Sequence, residues 1–283
     1  MSPDYARVPY RGGTVEIEYR WLERDRREAP LLVFLHEGLG SVSMWRDYPA
    51  QLCAALGCRG LLYSRPGYGG STPRPAGERW RPDFMHEQAR DLLPSLLSVL
   101  GLDTLTDRPW LIGHSDGGSI ALIYAALFPQ RVAGLVVLAP HLFVEPVTVD
   151  RIRAARHAYL EGDLRRRLAR HHLDVDSAFW GWNDIWLDPA FRDWNIESLL
   201  PQITCPVLAV QGRQDEYGTL AQVEGIARAV PLTELLILDA CGHWPHRDHP
   251  ERLTHAVLDF VRRQTSQQPV QLGGNPCVAT RPC

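Results

Sequence analysis

Three features of this 283-residue chain predict an α/β fold, a doubly wound and mostly parallel sheet with an inserted helical cap. Short continuous apolar runs recur along it, helical patterns alternate with those runs, and one interval of more than sixty residues interrupts the rhythm. A continuous apolar run suits a strand buried on both faces, because helices cover both sides of a parallel sheet. Alternation of strand and helix is the connectivity such a sheet demands.

The elements follow in order. Alternating apolar residues flank Gly12-Gly13, so Arg7–Tyr10 and Val15–Trp21 are expected to pair as a hairpin. Buried strands are expected at Leu31–Leu35, Gly60–Tyr63, Trp110–Ile112, Leu135–Ala139, Val207–Val210 and Leu235–Leu238. Helical patterns fall between them at Met44–Leu56, Pro82–Leu100, Ser119–Leu127, Leu220–Ala229 and Pro250–Arg263. Between Ala139 and Val207 there is no strand signal; Val149–Arg170 reads as helix, and Asp176–Asn195 holds Trp180, Trp182, Trp186 and Trp194. That interval is too long for a loop and too apolar for disorder, which predicts a helical cap over 141–203. The core then divides into 1–140 and 204–264, and the Gln-, Pro- and Gly-rich residues 265–283 read as a disordered tail.

Composition narrows the chemistry. All 30 basic residues are arginine, and the chain has no lysine. Schiff-base and pyridoxal enzymes, Walker-A nucleotidases, protein kinases and Ser–Lys hydrolases need a lysine amine at the reacting centre, so these classes are excluded. A net charge of -3 with scattered charges gives no electrostatic case for nucleic acid. The run Arg165-Arg166-Arg167 reads as a solvated helix face. No apolar stretch approaches the ~20 residues of a membrane helix, and Met1–Arg11 lacks a signal peptide's apolar core, so a cytoplasmic protein without membrane contact is expected. The six cysteines lack C-x-x-C spacing and are expected as free thiols, with no metal and no cofactor. A monomer or a homodimer acting on a small-molecule substrate fits equally well.

The strongest chemical signal is Gly113-His114-Ser115-Asp116-Gly117, which follows an apolar run and opens a helical pattern. G-x-S-x-G in a strand–turn–helix setting is a nucleophile elbow, whose glycines permit a turn too sharp for flanking side chains. A serine hydroxyl is a weak nucleophile until a base accepts its proton. Acid and then histidine are expected downstream, each just past a strand. Asp215 lies beyond Val207–Val210, and His243 lies beyond Leu235–Leu238. Ser115, Asp215 and His243 are therefore the candidate triad. Glu216 and Asp239 are alternative acids, and His246 and His249 alternative bases.

From about Tyr10 to Arg263 the chain resembles an α/β-hydrolase-fold serine hydrolase. Besides the elbow and the acid and histidine segments, Leu32–Ser41 is similar to the family's strand and H-G-x oxyanion loop. Ser64-Arg65-Pro66-Gly67-Tyr68-Gly69-Gly70-Ser71 is similar to its D-x-P-G-x-G-x-S loop. The resemblance implies an oxyanion hole formed by the backbone N–H groups of Gly38 and Asp116. Dehalogenases and epoxide hydrolases of this fold carry aspartate at the elbow, but Asp116 stands one residue late for that role.

Two residues depart from the family pattern: Glu37 replaces a glycine and Ser64 an aspartate. Glu37 either turns away and binds structure or faces the pocket and disfavours anionic substrates. His36 and His114 read as structural hydrogen-bonding residues, and Arg65 and Arg213 as the arginines placed to touch a substrate. A cap over the nucleophile places Trp180, Trp182 and Trp186 at an apolar pocket, with Glu37, His141, Tyr217 and Trp244 as further lining. The resemblance implies carboxylic ester hydrolysis through an acyl-enzyme, with a thioester next. A carbon–carbon bond hydrolase similar to the meta-cleavage product hydrolases follows, or a lyase similar to one of menaquinone synthesis. A non-catalytic ligand-binding protein on the same fold is the alternative of another class.

Overall fold

The computed structural model describes residues 3–266. Eight strands form one sheet: β1 (Asp4–Tyr10), β2 (Gly13–Leu22), β3 (Leu31–Leu35), β4 (Arg59–Tyr63), β5 (Trp110–His114), β6 (Gly134–Leu138), β7 (Val207–Gly212) and β8 (Thr233–Leu238). Their spatial order is β1-β2-β4-β3-β5-β6-β7-β8. β1 and β2 form the expected hairpin, and Tyr10 pairs with Gly13. The two-residue turn between them, Arg11 and Gly12, sits at positive φ, which matches the right-handed twist of the strands. β2 meets β4 antiparallel; from β3 to β8 every pairing is parallel.

The helices are α1 (Tyr48–Leu56), α2 (Phe84–Glu87), α3 (Leu93–Val99), α4 (Asp116–Leu127), α5 (Pro146–Leu160), α6 (Leu164–Leu168), α7 (Val175–Leu187), α8 (Ala221–Ala229), α9 (Pro245–Asp248) and α10 (Pro250–Ser266). Alternate strand residues enter opposite cores. Leu31, Val33 and Leu35 pack with α3, α4 and α8, whereas Leu32 and Phe34 pack with α1 and α10. This double coverage is why the strands read as unbroken apolar runs.

Four expectations need correction. Leu235–Leu238 is not buried on both faces as its apolar run predicts: β8 is an edge strand paired only with β7, and Leu235 is exposed. Met44–Leu56 is a 3₁₀ turn followed by α1, because Arg46 takes a positive φ. Pro82–Leu100 contains a π turn at Gln88–Leu92 between α2 and α3; Pro94 cannot donate to the ladder, which shifts so that the Leu93 N–H reaches the Gln88 carbonyl. α10 runs through Ser266, two residues past the boundary drawn at 264, and residues 267–283 lie outside the described residues.

The interval between β6 and β7 holds α5, α6 and α7, and an isolated bridge between Phe143 and Asn195 joins its two ends. Phe179, Trp182, Ile185 and Trp186 of α7 belong to the same buried cluster as β3 and β5. Cys53, Cys58, Cys205 and Cys241 are free and buried. Among the described residues no helix is long and apolar enough to cross a membrane.

Candidate active site

From β3 the chain passes to β4 on one side and then to β5 on the other, so the loops leaving β3 and β5 diverge and open a crevice at the carboxyl edge. Such a switch point is where ligands bind in α/β sheets. Ser115 occupies it. Its backbone (φ 53°, ψ −121°) lies where non-glycine residues are rarely found, between the last residue of β5 and the first turn of α4. The flanking glycines are steric necessities. A Cβ on Gly113 would strike the Gly117 carbonyl, and one on Gly117 would strike the Leu35 carbonyl.

Asp215 and His243 leave the ends of β7 and β8 and meet. His243 Nδ1 lies 2.9 Å from both Asp215 carboxylate oxygens. Their loops approach so closely that a Cβ on Gly212 would strike the Gly242 carbonyl. The carboxylate also accepts from the Tyr217 amide at 2.7 Å and the Gln211 side-chain amide at 2.6 Å. Burial alone would raise the Asp215 carboxyl, but the His243 imidazole and the Tyr217 amide outweigh it and hold it below its ordinary value. The alternative residues stand elsewhere. Asp239 is exposed and paired with Arg213, Glu216 faces Arg151, His246 packs on Trp45, and His249 bonds the Ala240 carbonyl. Among the described residues, no hydrogen bond joins the Ser115 hydroxyl to His243, whose side chain bonds Asp215.

Gly38 and Asp116 line the same cavity as Ser115. Asp116 is the first residue of α4, so its N–H has no acceptor within the helix. Gly38 follows a carbonyl that three donors hold: Glu37 O accepts from Gly40 N (3.0 Å), His36 Nδ1 (2.7 Å) and Arg65 Nη2 (2.8 Å). The C=O of Glu37 and the N–H of Gly38 share one planar trans peptide and point in opposite directions. Anchoring the carbonyl therefore aims the amide. His36 accepts from the Arg65 amide through Nε2, so its proton is on Nδ1, as that bond requires. Burial, then Arg65, press His36 well below its ordinary pKa and keep it neutral.

Above Ser115 lies a cavity of about 50 Å³. Glu37, His141, Trp182, Trp186, Tyr217 and Trp244 line it as expected, together with Gly38 and Asp116. Trp180 does not. Two residues along a helix turn a side chain to the opposite side, so Trp182 and Trp186 share the cavity face while Trp180 meets Tyr159 and Phe179 edge-on under the Arg156 guanidinium. Leu39, Thr148 and Ile152 also line the cavity and were missed; the i,i+4 pair on α5 was the available signal. Burial, then the His243 ring, depress His141 to about 3, so it presents a neutral imidazole.

Neither substrate-facing arginine is where it was expected. Arg65 is fully buried, with Nη2 3.5 Å from Asp116 Oδ2 and its guanidinium 4.7 Å from the Tyr68 ring centre. Arg213 is exposed and bonded to Asp239. The Glu37 carboxylate folds back over Gly40 toward His114 and Arg247.

Residues 32–256 match the model of the Alpha/beta hydrolase family. The chain is 26% identical, over 81% of its length and 86% of the relative's, to a 2-hydroxy-6-oxononadienedioate/2-hydroxy-6-oxononatrienedioate hydrolase of Dechloromonas aromatica. It is also 26% identical to a hydrolase of the same description from Pseudomonas putida, over 92% of this chain and 96% of that one. A solved carboxylesterase structure from Nitrososphaera gargenis superposes with a TM-score of 0.72 at 20% identity, covering 94% of this chain and 100% of that chain; this likeness shows the fold alone.

Proposed function

The chain belongs to the alpha/beta hydrolase family, and on that premise we propose that it is a serine hydrolase cleaving a carboxylic ester of a small, largely apolar or aromatic substrate. The observation that carries this reading is Ser115 on its strained turn, together with a His243 whose Nδ1 is bonded to a buried carboxylate. In this mechanism His243 Nε2 takes the Ser115 proton as the oxygen attacks the acyl carbon. The oxyanion forms against the Gly38 and Asp116 amides, and His243 returns the proton to the departing alkoxide. Water then releases the acid by the same path. Asp215 fixes the His243 tautomer and balances the imidazolium.

Carbon–carbon bond hydrolysis is the second reading, favoured by the names of the curated relatives. Those names specify dioates, which carry two carboxylates. Among the described residues no arginine lines the cavity, His141 presents a neutral ring, and the Glu37 carboxylate turns toward His114 and Arg247. A lining without an arginine favours an uncharged ester over a dianion. The cytoplasm remains the proposed location.

A fluorophosphonate probe is expected to label the wild type and not Ser115→Ala; an unlabelled, folded wild type overturns the serine mechanism. Asp215→Asn should lower ester kcat by about 10⁴-fold, as the loss of the correct tautomer does in related triads. A panel of p-nitrophenyl esters against 2-hydroxy-6-oxo dienedioates separates the two readings, with the higher kcat/KM expected for the esters.

A further inference from the structure

The mechanism above leaves a buried cluster unused. Glu37 stands in the loop after β3, His114 is the last residue of β5 and precedes the nucleophile, and Arg247 belongs to α9, just past His243. His114 is fully buried. Its Nε2 lies 2.7 Å from the His243 carbonyl, an oxygen that only accepts, so Nε2 carries a hydrogen and donates it. Its Nδ1 faces Glu37 Oε2 at 3.5 Å, and Glu37 Oε1 lies 3.5 Å from Arg247 Nη2. One file of contacts thus runs from the oxyanion loop, through the strand that presents the serine, to the backbone of the proposed base.

We propose that Glu37 is a positioning residue, bracing the oxyanion loop against the His243 loop through His114. The inference rests on the serine-hydrolase reading of the same site. Burial alone would raise the Glu37 carboxyl, but His114 and then Arg247 outweigh it and hold it well below its ordinary value, so the brace is anionic. Among the described residues, no other side chain bonds His114 Nδ1. His246, the nearest ring at 4.9 Å, has no hydrogen bond to either nitrogen, and burial followed by His114 press it well below its ordinary pKa.

The test uses the rate at which a fluorophosphonate labels Ser115, with ester kcat and KM measured in parallel. Glu37→Ala should slow labelling and lower kcat by about 10- to 100-fold at near-constant KM, the scale of a small misplacement of reacting groups. Glu37→Gln, which keeps a polar side chain of the same length facing Nδ1, should recover most of that loss. In a cycle with His114→Ala, the double variant should be no slower than the slower single variant, because both remove the same brace. Labelling of Glu37→Ala at the wild-type rate, failure of Glu37→Gln to recover, or additive losses in the cycle each overturn the proposal. If Glu37→Ala does not fold, the recovery by Glu37→Gln and the His114→Ala rate decide. A folded wild type that resists the probe instead overturns the serine mechanism itself.

Discussion

Ser115 keeps a backbone conformation that serine rarely adopts, and the neighbours that hold it there are themselves held by one guanidinium. Arg65 bonds the Glu37 carbonyl, faces the Asp116 carboxylate and reaches Gln88, all without solvent. Replacing it by methionine keeps the volume roughly constant but leaves a buried carboxylate beside the nucleophile. Removing one partner of a buried pair typically costs about 3–5 kcal/mol. Arg65→Met should lose stability on that scale in urea unfolding, whereas a loss under about 1 kcal/mol would mean that Arg65 and Asp116 do not depend on each other. The elbow, the acid and the histidine were legible because each is a local spacing tied to the end of a strand. The buried role of Arg65 is not legible in the sequence because its partners lie far along the chain and converge only after β3, β4 and β5 are laid side by side. Proximity in sequence to a site loop said nothing about which way the side chain turns.

Helix α7 shows how an element converts period into specificity. Asp174 caps it by accepting from the Ser177 amide, and its apolar side merges with the core. Trp182 packs on Gly38 so closely that a Cβ there would strike the indole, so this one side chain roofs the loop after β3. Trp182→Phe should open the small cavity and raise kcat/KM for longer acyl chains relative to acetate by about tenfold, the worth of a methylene or two in an apolar pocket. Trp180→Phe, on the far side of the helix, should leave that ranking unchanged. Equal effects of the two variants on the ester ranking would discredit the assignment of faces. The tryptophan cluster was visible in the sequence, but the helix phase that separates Trp180 from its neighbours was not, because aromatic residues occur on several sides of α7. The unexpected breaks at Arg46 and in the π turn have the same origin. Apolar spacing forecasts which residues are buried more securely than it forecasts a continuous hydrogen-bond ladder.

Across the whole molecule, strand–helix alternation foretold the layers, while the spatial order of the strands and the exposed edge at β8 came only from the assembled sheet. The joint between the interval after β6 and the core was equally hidden, and it depends on a titratable group. His172 Nδ1 accepts from the Gly69 amide at 2.9 Å, and its Nε2 donates to the Leu39 carbonyl at 3.0 Å. Both bonds use the neutral ring, and protonation at Nδ1 would break the first. Burial is the chief cause that lowers His172 to about 4. The unfolded chain therefore binds a proton between its ordinary pKa of about 6.5 and about 4 that the folded chain refuses. Stability from this group is complete above about pH 6.5 and is lost as pH falls toward 4, at about 1.4 kcal/mol per pH unit for one proton. Asparagine offers an amide donor and a carbonyl acceptor but does not titrate in this range. His172→Asn should accordingly lose stability less steeply than wild type over that window, by about one proton, while His141 titrates alike in both proteins. Parallel stability–pH curves in urea unfolding would show that His172 protonates without strain, and that the joint over the loop after β3 is held by packing alone.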